Sequence, residues 1–354
     1  MPSRPGAYVQ TVLGPIAPEQ LGPTMAHEHI LSDLSPLERP PEEVGANDLF
    51  EAPVSIENIG YLNWYYRPNA DNLKLNDIDT AIDELALYRQ HGGGAIVEAS
   101  SIGLSRDPVG LAHVAKATGV HVVMGSSYYV DASHPPGMDA RSEDDIAAEI
   151  VRDITVGVGA TGIRAGIIGE VGCSWPLTAN ERKVLRASAR AQRDTGAAIL
   201  IHPGRDEPSP EEILDVLEGA GGDLTRTIIG HLDRTVLDRN ALLRLAQRGI
   251  YLEWDHFGFE RSWYPPNLKV DMPSNAGRMD YLAFMIAEGY GDKLVIAHDV
   301  ASKVRLTKYG GHGYFYIIAF IVPRMRERGF SEEDIQRILV KNPARVLTIE
   351  PKQG

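Results

Sequence analysis

The chain has 354 residues, with 35 Lys and Arg against 48 Asp and Glu, a formal net charge of −13. Apolar residues at 43% and charged residues at 23% supply material for a large core, which excludes disorder as the main state. The acidic balance excludes a broad nucleic-acid-binding surface, and the lone Cys173 excludes an intramolecular disulfide and a cysteine-built zinc site.

Residues 1–23 read as an N-terminal arm, and the opening MPSRPGAYVQTVLGP lacks the apolar run of a signal peptide. A first strand is expected over residues 24–29, ending His27-Glu28-His29. Residues 31–75 then form a long loop with ERPPEE and the aromatic run NWYYRPN; loops of that length commonly act as lids. DIDTAIDELALYRQHGGG reads as a helix, acidic at its start and stopped by glycine. Strands are expected over 95–100 and 121–128, followed by SEDDIAAEIVRDITVG, where Ser142 and the acids after it suit a positive helix N-terminus. A fourth strand over 165–172 precedes TANERKVLRASARAQRDTG, in which Thr178 and Glu181 have capping-box spacing. Strands over 198–202, 227–231, 250–255 and 294–299 alternate with SPEEILDVLEGAGG, TVLDRNALLRLAQRG and NAGRMDYLAFMIAEGYG. The stretch YFYIIAFIVP over 314–323 is too short to span a bilayer, which needs roughly 20 residues. It reads as a buried helix, and SEEDIQRILVKNPARVL follows with its own acidic cap. A cytoplasmic protein without membrane association is expected.

Eight strand-then-helix units predict an α/β fold, a (β/α)8 TIM barrel forming one domain over residues 1–354. The competitor, an open doubly wound sheet, normally carries a phosphate-binding glycine loop after its first strand; MAHEHI has none.

The C-terminal ends of the strands carry the chemistry. Residues i and i+2 on a strand share a face, so His27 and His29 are placed to chelate one ion. An HxH triplet alone is common by chance. Glu170, His202, His231 and Asp299, however, also stand at the ends of strands four, five, six and eight, where barrel enzymes build their active sites. His91 and His113 fall on helices and read as solvated or structural. Four imidazoles and two carboxylates suit two divalent ions, zinc first, with Mn, Co or Fe as alternatives. Six ligands exceed one tetrahedral ion. We assign His27, His29 and Asp299 to one ion and His202 and His231 to the other, with Glu170 and a hydroxide bridging. Two such cations keep a small positive balance against those anions and lower the pKa of water toward neutrality.

MAHEHI, AGIIGEVG, LIHPGR, GHLDR and AHDV, in that order, resemble the phosphotriesterase family of the amidohydrolase superfamily, from about Gly14 to the C-terminal helix. In the phosphotriesterases and lactonases of that family the strand-four bridge is a carboxylated lysine. Glu170 in its place, with KYGGHGY after strand eight, resembles the phosphotriesterase-related branch. That swap implies activity insensitive to bicarbonate. The resemblance also implies that Asp299 takes the proton of the attacking water. WDHFG resembles the family's DH pair, so His256 is expected to pass that proton outward, unless it is a packed loop histidine. Asp233 either orients His256 or pairs structurally with Arg234. Glu98 is a candidate partner for a ligating histidine or a buried polar plug; Cys173 and His298 read as packed residues.

For substrate contacts, Tyr128 and Tyr129 occupy the family's aromatic wall after strand three. Trp175, Arg205, Arg234, His312, Trp64, Tyr65 and Arg67 lie in strand-end loops, where packing or surface pairs explain each nearly as well. Several arginines near metal cations favour a substrate carrying a carboxylate or sulfonate. The reading is a binuclear metallohydrolase whose bridging hydroxide attacks a lactone, a carboxylic ester or an N-acyl amide. The resemblance permits an organophosphate triester as an alternative and keeps small N-acylated amines and amino acids in view. A single-metal deaminase and a non-catalytic metal- or ligand-binding protein are readings of other classes. The expected partner is a small-molecule substrate; the apolar helix faces also permit a homodimer.

Overall fold

The computed structural model describes residues 6–37, 47–64 and 69–350. Eight parallel strands follow one another in chain order: β1 (Thr24–Glu28), β2 (Ala95–Glu98), β3 (His121–Ser126), β4 (Ile167–Gly172), β5 (Ile199–His202), β6 (Thr227–Ile229), β7 (Tyr251–Trp254) and β8 (Leu294–Ile296). Two backbone hydrogen bonds just past the strand ends close the ring, His29 N to Val300 O and Asp299 N to His27 O, each 3.2 Å. This is the expected (β/α)8 barrel.

The strands are apolar on both faces because both faces are covered. Val97, Val123, Ile167, Leu200, Ile228 and Val295 pack together inside the ring. Their neighbours in sequence, among them Ile96, Val122, Ile168, Ile199 and Ile229, pack under the helices. The covering helices are α1 (Ile78–Gln90), α2 (Pro108–Thr118), α3 (Glu143–Thr155), α4 (Ala179–Thr195), α5 (Ser209–Gly219), α6 (Arg239–Gln247) and α7 (Asn275–Ala287). The caps read from sequence form as expected: Ser142 Oγ accepts from Asp145 N and Thr178 Oγ1 from Glu181 N, both at 3.1 Å. Each such cap stabilises by about 1 kcal/mol.

The stretch after β8 departs from a plain buried helix. Ile317–Ile321 is a π-helical turn leading into Val322–Glu327, and Arg337–Lys341 repeats the device before Asn342–Leu347. Pro323 and Pro343 stand two residues beyond these turns. Each removes an N–H and crowds the carbonyl four residues back, which widens the preceding turn. Ile317 and Ile321 are buried, but Phe320 is 57% exposed, so only one face of this stretch enters the core. Among the described residues no helix is long and apolar enough to cross a membrane.

An antiparallel hairpin, Val9–Thr11 with Gly14–Ile16, covers the N-terminal end of the ring, with Val12 N bonded to Val122 O at 2.9 Å. Tyr8 and Ile349 pair there through two backbone hydrogen bonds of 3.1 and 2.7 Å. At the opposite end, the long loop after β1 is pinched by pairing of Ser32–Asp33 with Lys74–Leu75 and carries short helices at Asn47–Glu51 and Ile59–Trp64. Asp71 fastens it to the segment after β8, accepting from Val54 N at 2.9 Å and from Lys303 Nζ at 2.5 Å.

Candidate metal centre

Six side chains from five strands converge at the C-terminal end of the ring. Glu170, on β4, is the hub. Its Oε2 lies 3.3 Å from His27 Nε2, 2.9 Å from His202 Nδ1 and 3.5 Å from His231 Nε2. Its Oε1 lies 3.3 Å from His29 Nε2. Asp299 Oδ1 stands 3.4 Å from His29 Nε2 and 4.0 Å from His27 Nε2. The histidines and Glu170 are all buried. Burial alone would raise the Glu170 carboxyl, but His27 and His202 outweigh it and hold it well below the usual range. Gly169 makes the approach possible: at φ +130° a Cβ there would stand 2.2 Å from Leu200 O.

Two of these positions are not simple strand ends. His231 and Asp299 sit at φ +55° and +50°, left-handed conformations that cost a non-glycine residue about 1–3 kcal/mol each. Neighbours hold them there. Asp255 Oδ2 accepts from His231 N at 2.7 Å, and Asp299 N bonds to His27 O. The expected strands six and eight therefore stop at Ile229 and Ile296, and the ligands stand on sharp turns beyond them.

Buried acceptors aim the imidazoles. His27 Nδ1 faces Glu253 Oε2 at 3.2 Å, His29 Nδ1 faces Ser100 Oγ at 2.9 Å, and His231 Nδ1 faces Asp255 Oδ1 at 2.8 Å. Burial pushes the Glu253 carboxyl up to about 8. Glu253 on β7 and Asp255 one residue past its end alternate within apolar sequence, a period-two signal of two inward-facing carboxylates. Glu98 accepts from Ser100 N at 3.1 Å and from Ile30 N; it braces the backbone beside His29 rather than touching the ring. His298 is packed, its Nδ1 on Glu28 Oε1 at 2.7 Å. Cys173 is buried.

This donor set fits cations. Among the described residues His27 Nε2 is buried with no hydrogen-bond partner, and it faces the Glu170 carboxylate. His27, Glu170 and His231 each bring a ligand atom to within 4.8 Å of the others, as do His27, His29 and Asp299. Mixed imidazole and carboxylate donors with fixed far-side nitrogens are the usual make-up of such centres.

A second chain of contacts leaves the cluster. His256 Nε2 lies 3.6 Å from Asp299 Oδ2. Its Nδ1 lies 2.8 Å from Asp233 Oδ1, which also accepts on Oδ2 from His256 N at 3.0 Å. Burial works against the imidazolium, yet Asp233 and Asp255 push His256 up to about 10. Asp233 does not pair with Arg234. Its guanidinium partner is Arg278, at 2.7 Å with both side chains fully buried. Nothing local in the sequence marks Arg278.

The pocket above the cluster is lined by His29, Tyr129, His256, Phe259, Arg205, Arg234 and Arg305, with Leu34, Leu37 and Leu104 on one wall. Tyr129 Oη reaches His202 Nδ1 at 3.3 Å. Arg234 is buried and spends its fork on Pro203 O at 3.1 Å, Thr235 Oγ1 at 3.0 Å and His202 Nε2 at 3.2 Å. Arg205 Nε bonds to Tyr264 Oη at 3.0 Å. Three expected contacts lie elsewhere. Tyr128 turns away from the pocket, its Oη on Glu149 Oε2 at 2.5 Å and on Arg141, because neighbouring residues leaving β3 point to opposite sides. Trp175 packs against Gly204. His312 stands outside this pocket, stacked on His298 with ring centroids 5.4 Å apart. Trp64 is half exposed beside Trp263, while Tyr65 and Arg67 lie outside the described residues.

Comparison with known proteins gives a consistent picture. A model of the phosphotriesterase family matches residues 7–347. The N-acetyltaurine hydrolase of Salmo salar is 45% identical over 343 residues, 97% of this chain and 98% of that protein. The structure of a resiniferatoxin-binding protein from Rhodobacter sphaeroides superposes with a TM-score of 0.92 at 38% identity, covering 96% of this chain and 94% of that one. A lactonase from Listeria monocytogenes superposes at 0.79 with 25% identity, covering 97% of this chain and 100% of that one.

Proposed function

The chain belongs to the phosphotriesterase family and is a hydrolase, and from that premise we propose that it cleaves the amide of a small N-acylated amine bearing an anionic group, such as an N-acyl aminosulfonate or amino acid. The observation that carries this is the Glu170 hub, joined to four imidazoles and neighboured by Asp299. The amide choice leans on the relative named for N-acetyltaurine, aligned over nearly the full length of both chains.

His27, His29 and Asp299 would hold one divalent cation, His202 and His231 a second, with Glu170 between them; zinc leads over Mn, Co and Fe. When bound, such cations supply Lewis acidity that activates water near neutral pH and polarises the scissile carbonyl. Asp299 accepts the proton of the attacking water. His256, 3.6 Å beyond it, rests as an imidazolium held by Asp233 and Asp255; it gives up a proton toward the pocket mouth and takes in its place the one held by Asp299, and the Asp233 carboxylate on Nδ1 stabilises the charged ring. Asp233 also fixes the ring so that Nε2 faces Asp299. Leu34, Leu37 and Leu104 give the short acyl group a dry wall.

The test is a substrate panel on metal-loaded enzyme: N-acetyltaurine, N-acetyl amino acids, lactones, phenyl acetate and a paraoxon-like triester. The N-acetylated anions should have the highest kcat/KM. Asp299→Asn should lower kcat by roughly 10²–10⁴-fold while the protein stays folded, the range expected for losing a general base. A lactone or triester preferred over every amide would replace the amide reading. Full activity of Asp299→Asn would remove Asp299 from the proton path.

A further inference from the structure

A cleft of about 380 Å³ opens at the N-terminal end of the ring, opposite the metal centre. The loops entering β6 and β8 line it with Arg226 and Lys293, and β7 adds its first residue, Tyr251. The terminal helix Asn342–Leu347 contributes Arg345, and the chain beyond it Glu350. Among the described residues, three cations and one carboxylate leave this lining a balance of +2, in a chain of net charge −13.

Neutral oxygens hold the three cations in place. Arg226 Nη2 donates to Val346 O at 3.2 Å. Lys293 Nζ donates to Thr225 O at 3.4 Å and stands 4.4 Å from the centre of the Tyr251 ring. Arg345 Nη1 donates to Asp292 O at 3.2 Å, and its fork lies against the Tyr251 hydroxyl. Carbonyls orient these groups without cancelling their charge. The acids close by are committed elsewhere. Asp292 pairs with Arg337 Nε at 3.0 Å, and Asp223 caps a turn, accepting from Thr225 N at 2.9 Å and Thr225 Oγ1 at 2.6 Å. Burial, then the neighbouring Arg345, holds the Lys293 ammonium below its usual range. Burial lowers Arg226 as well, against the pull of Asp223 and Glu350. Arg226 Nε is buried and, among the described residues, has no hydrogen-bond partner.

We propose that this cleft binds a phosphate dianion, free or as the end group of a small phosphorylated molecule, at a site separate from the metal centre. A dianion matches the balance of the lining, whereas a sulfonate or carboxylate would leave one charge over. Arg226 and Arg345 offer planar forks and Lys293 a compact point charge, both well suited to phosphate oxygens. The volume leaves room beyond the phosphate for the carbon body of a monoester. The ligand would join the approaches to β6 and β8 with the terminal helix, so its binding raises thermal stability. The assignment does not rest on the amide reading.

The experiment titrates metal-loaded enzyme calorimetrically with inorganic phosphate at about pH 8, where phosphate is the dianion. Separate arms use glycerol phosphate and ethanesulfonate. Phosphate also approaches metal centres, so its inhibition constant against phenyl acetate hydrolysis is measured alongside and reports that other site. One phosphate per chain should bind beyond the one that inhibits, with a rise in melting temperature. Lys293→Met keeps the aliphatic stem over Tyr251 and removes the charge. It should weaken the non-inhibitory uptake by about tenfold or more, the worth of a charge-assisted hydrogen bond, while the inhibition constant stays within about twofold. Lys293→Arg should recover most of the loss. Arg345 is exposed, so Arg345→Met leaves the fold intact and should weaken the same uptake. Phosphate uptake equal to wild type in both Met variants, or no phosphate bound beyond the inhibitory one, overturns the assignment, and so does ethanesulfonate binding as tightly as phosphate. Tighter binding of glycerol phosphate identifies a phosphorylated metabolite as the occupant; the reverse order identifies the free ion.

Discussion

Arg278 carries a guanidinium into the core, where it meets Asp233 at 2.7 Å, Phe259 O at 2.8 Å and the edge of Asn275. Removing one partner of a buried pair strands the other charge, which typically costs about 3–5 kcal/mol. Here Asp233 keeps His256 as a second partner, so the lower end of that range is expected. Arg278→Met should also loosen the grip of Asp233 on the His256 ring. The prediction is a kcat about 10–100-fold lower, with KM little changed and the pH profile of kcat shifted; Arg278→Lys should restore part of it. A loss of stability with an unaltered kcat and pH profile would show that Arg278 supports the fold alone.

The long loop after β1 is held as an element rather than by one contact. Its ends pair as Ser32–Asp33 with Lys74–Leu75, and Asn72 bonds the backbone of the β8 segment through Lys303 N at 2.9 Å and Val304 N at 3.0 Å. Asp71 adds the charged tie. Its partial burial would raise the carboxyl, but the Lys303 ammonium and the Val54 N–H bring it below the usual 3.8. A carboxyl depressed on folding contributes stability above its unfolded pKa and loses it as pH falls through the lower folded value. Asp71→Asn should therefore lower the melting temperature by an amount on the order of 1 kcal/mol in stability. That gap should stay constant from pH 8 to about pH 5 and close only below the unfolded value. A gap already closing at pH 6 would rule out Asp71 as the titrating group.

At the scale of the molecule, the cations would join β1, β4, β5, β6 and the turn after β8, strands from opposite sides of one ring. A ligand held at 100 times its Kd stabilises the folded state by about 2.7 kcal/mol. Dialysis against a chelator should lower the melting temperature, abolish hydrolysis and release two ions per chain. Zn, Mn, Co or Fe should restore activity without added bicarbonate, because Glu170 needs no carbon dioxide. One ion per chain, or reactivation that depends on bicarbonate, would contradict a Glu170 bridge. The barrel was legible because its strands are apolar on both faces and end in histidines and acids at a regular rhythm. The hub was legible for the same reason. The left-handed turns at His231 and Asp299 were not, since nothing local marks a residue forced into that conformation by its neighbours. Arg278 stayed hidden because its partner is distant in sequence. Tyr128 and Tyr129 both read as pocket wall in the sequence, although adjacent residues leaving β3 point to opposite sides and only Tyr129 lines the pocket.

Tyr8 and Ile349 lie side by side beneath the hairpin, on the far side of the ring from His29 and Asp299. A tag or support coupled at either of these two positions would stand on the underside of the ring and leave the working face toward the solution.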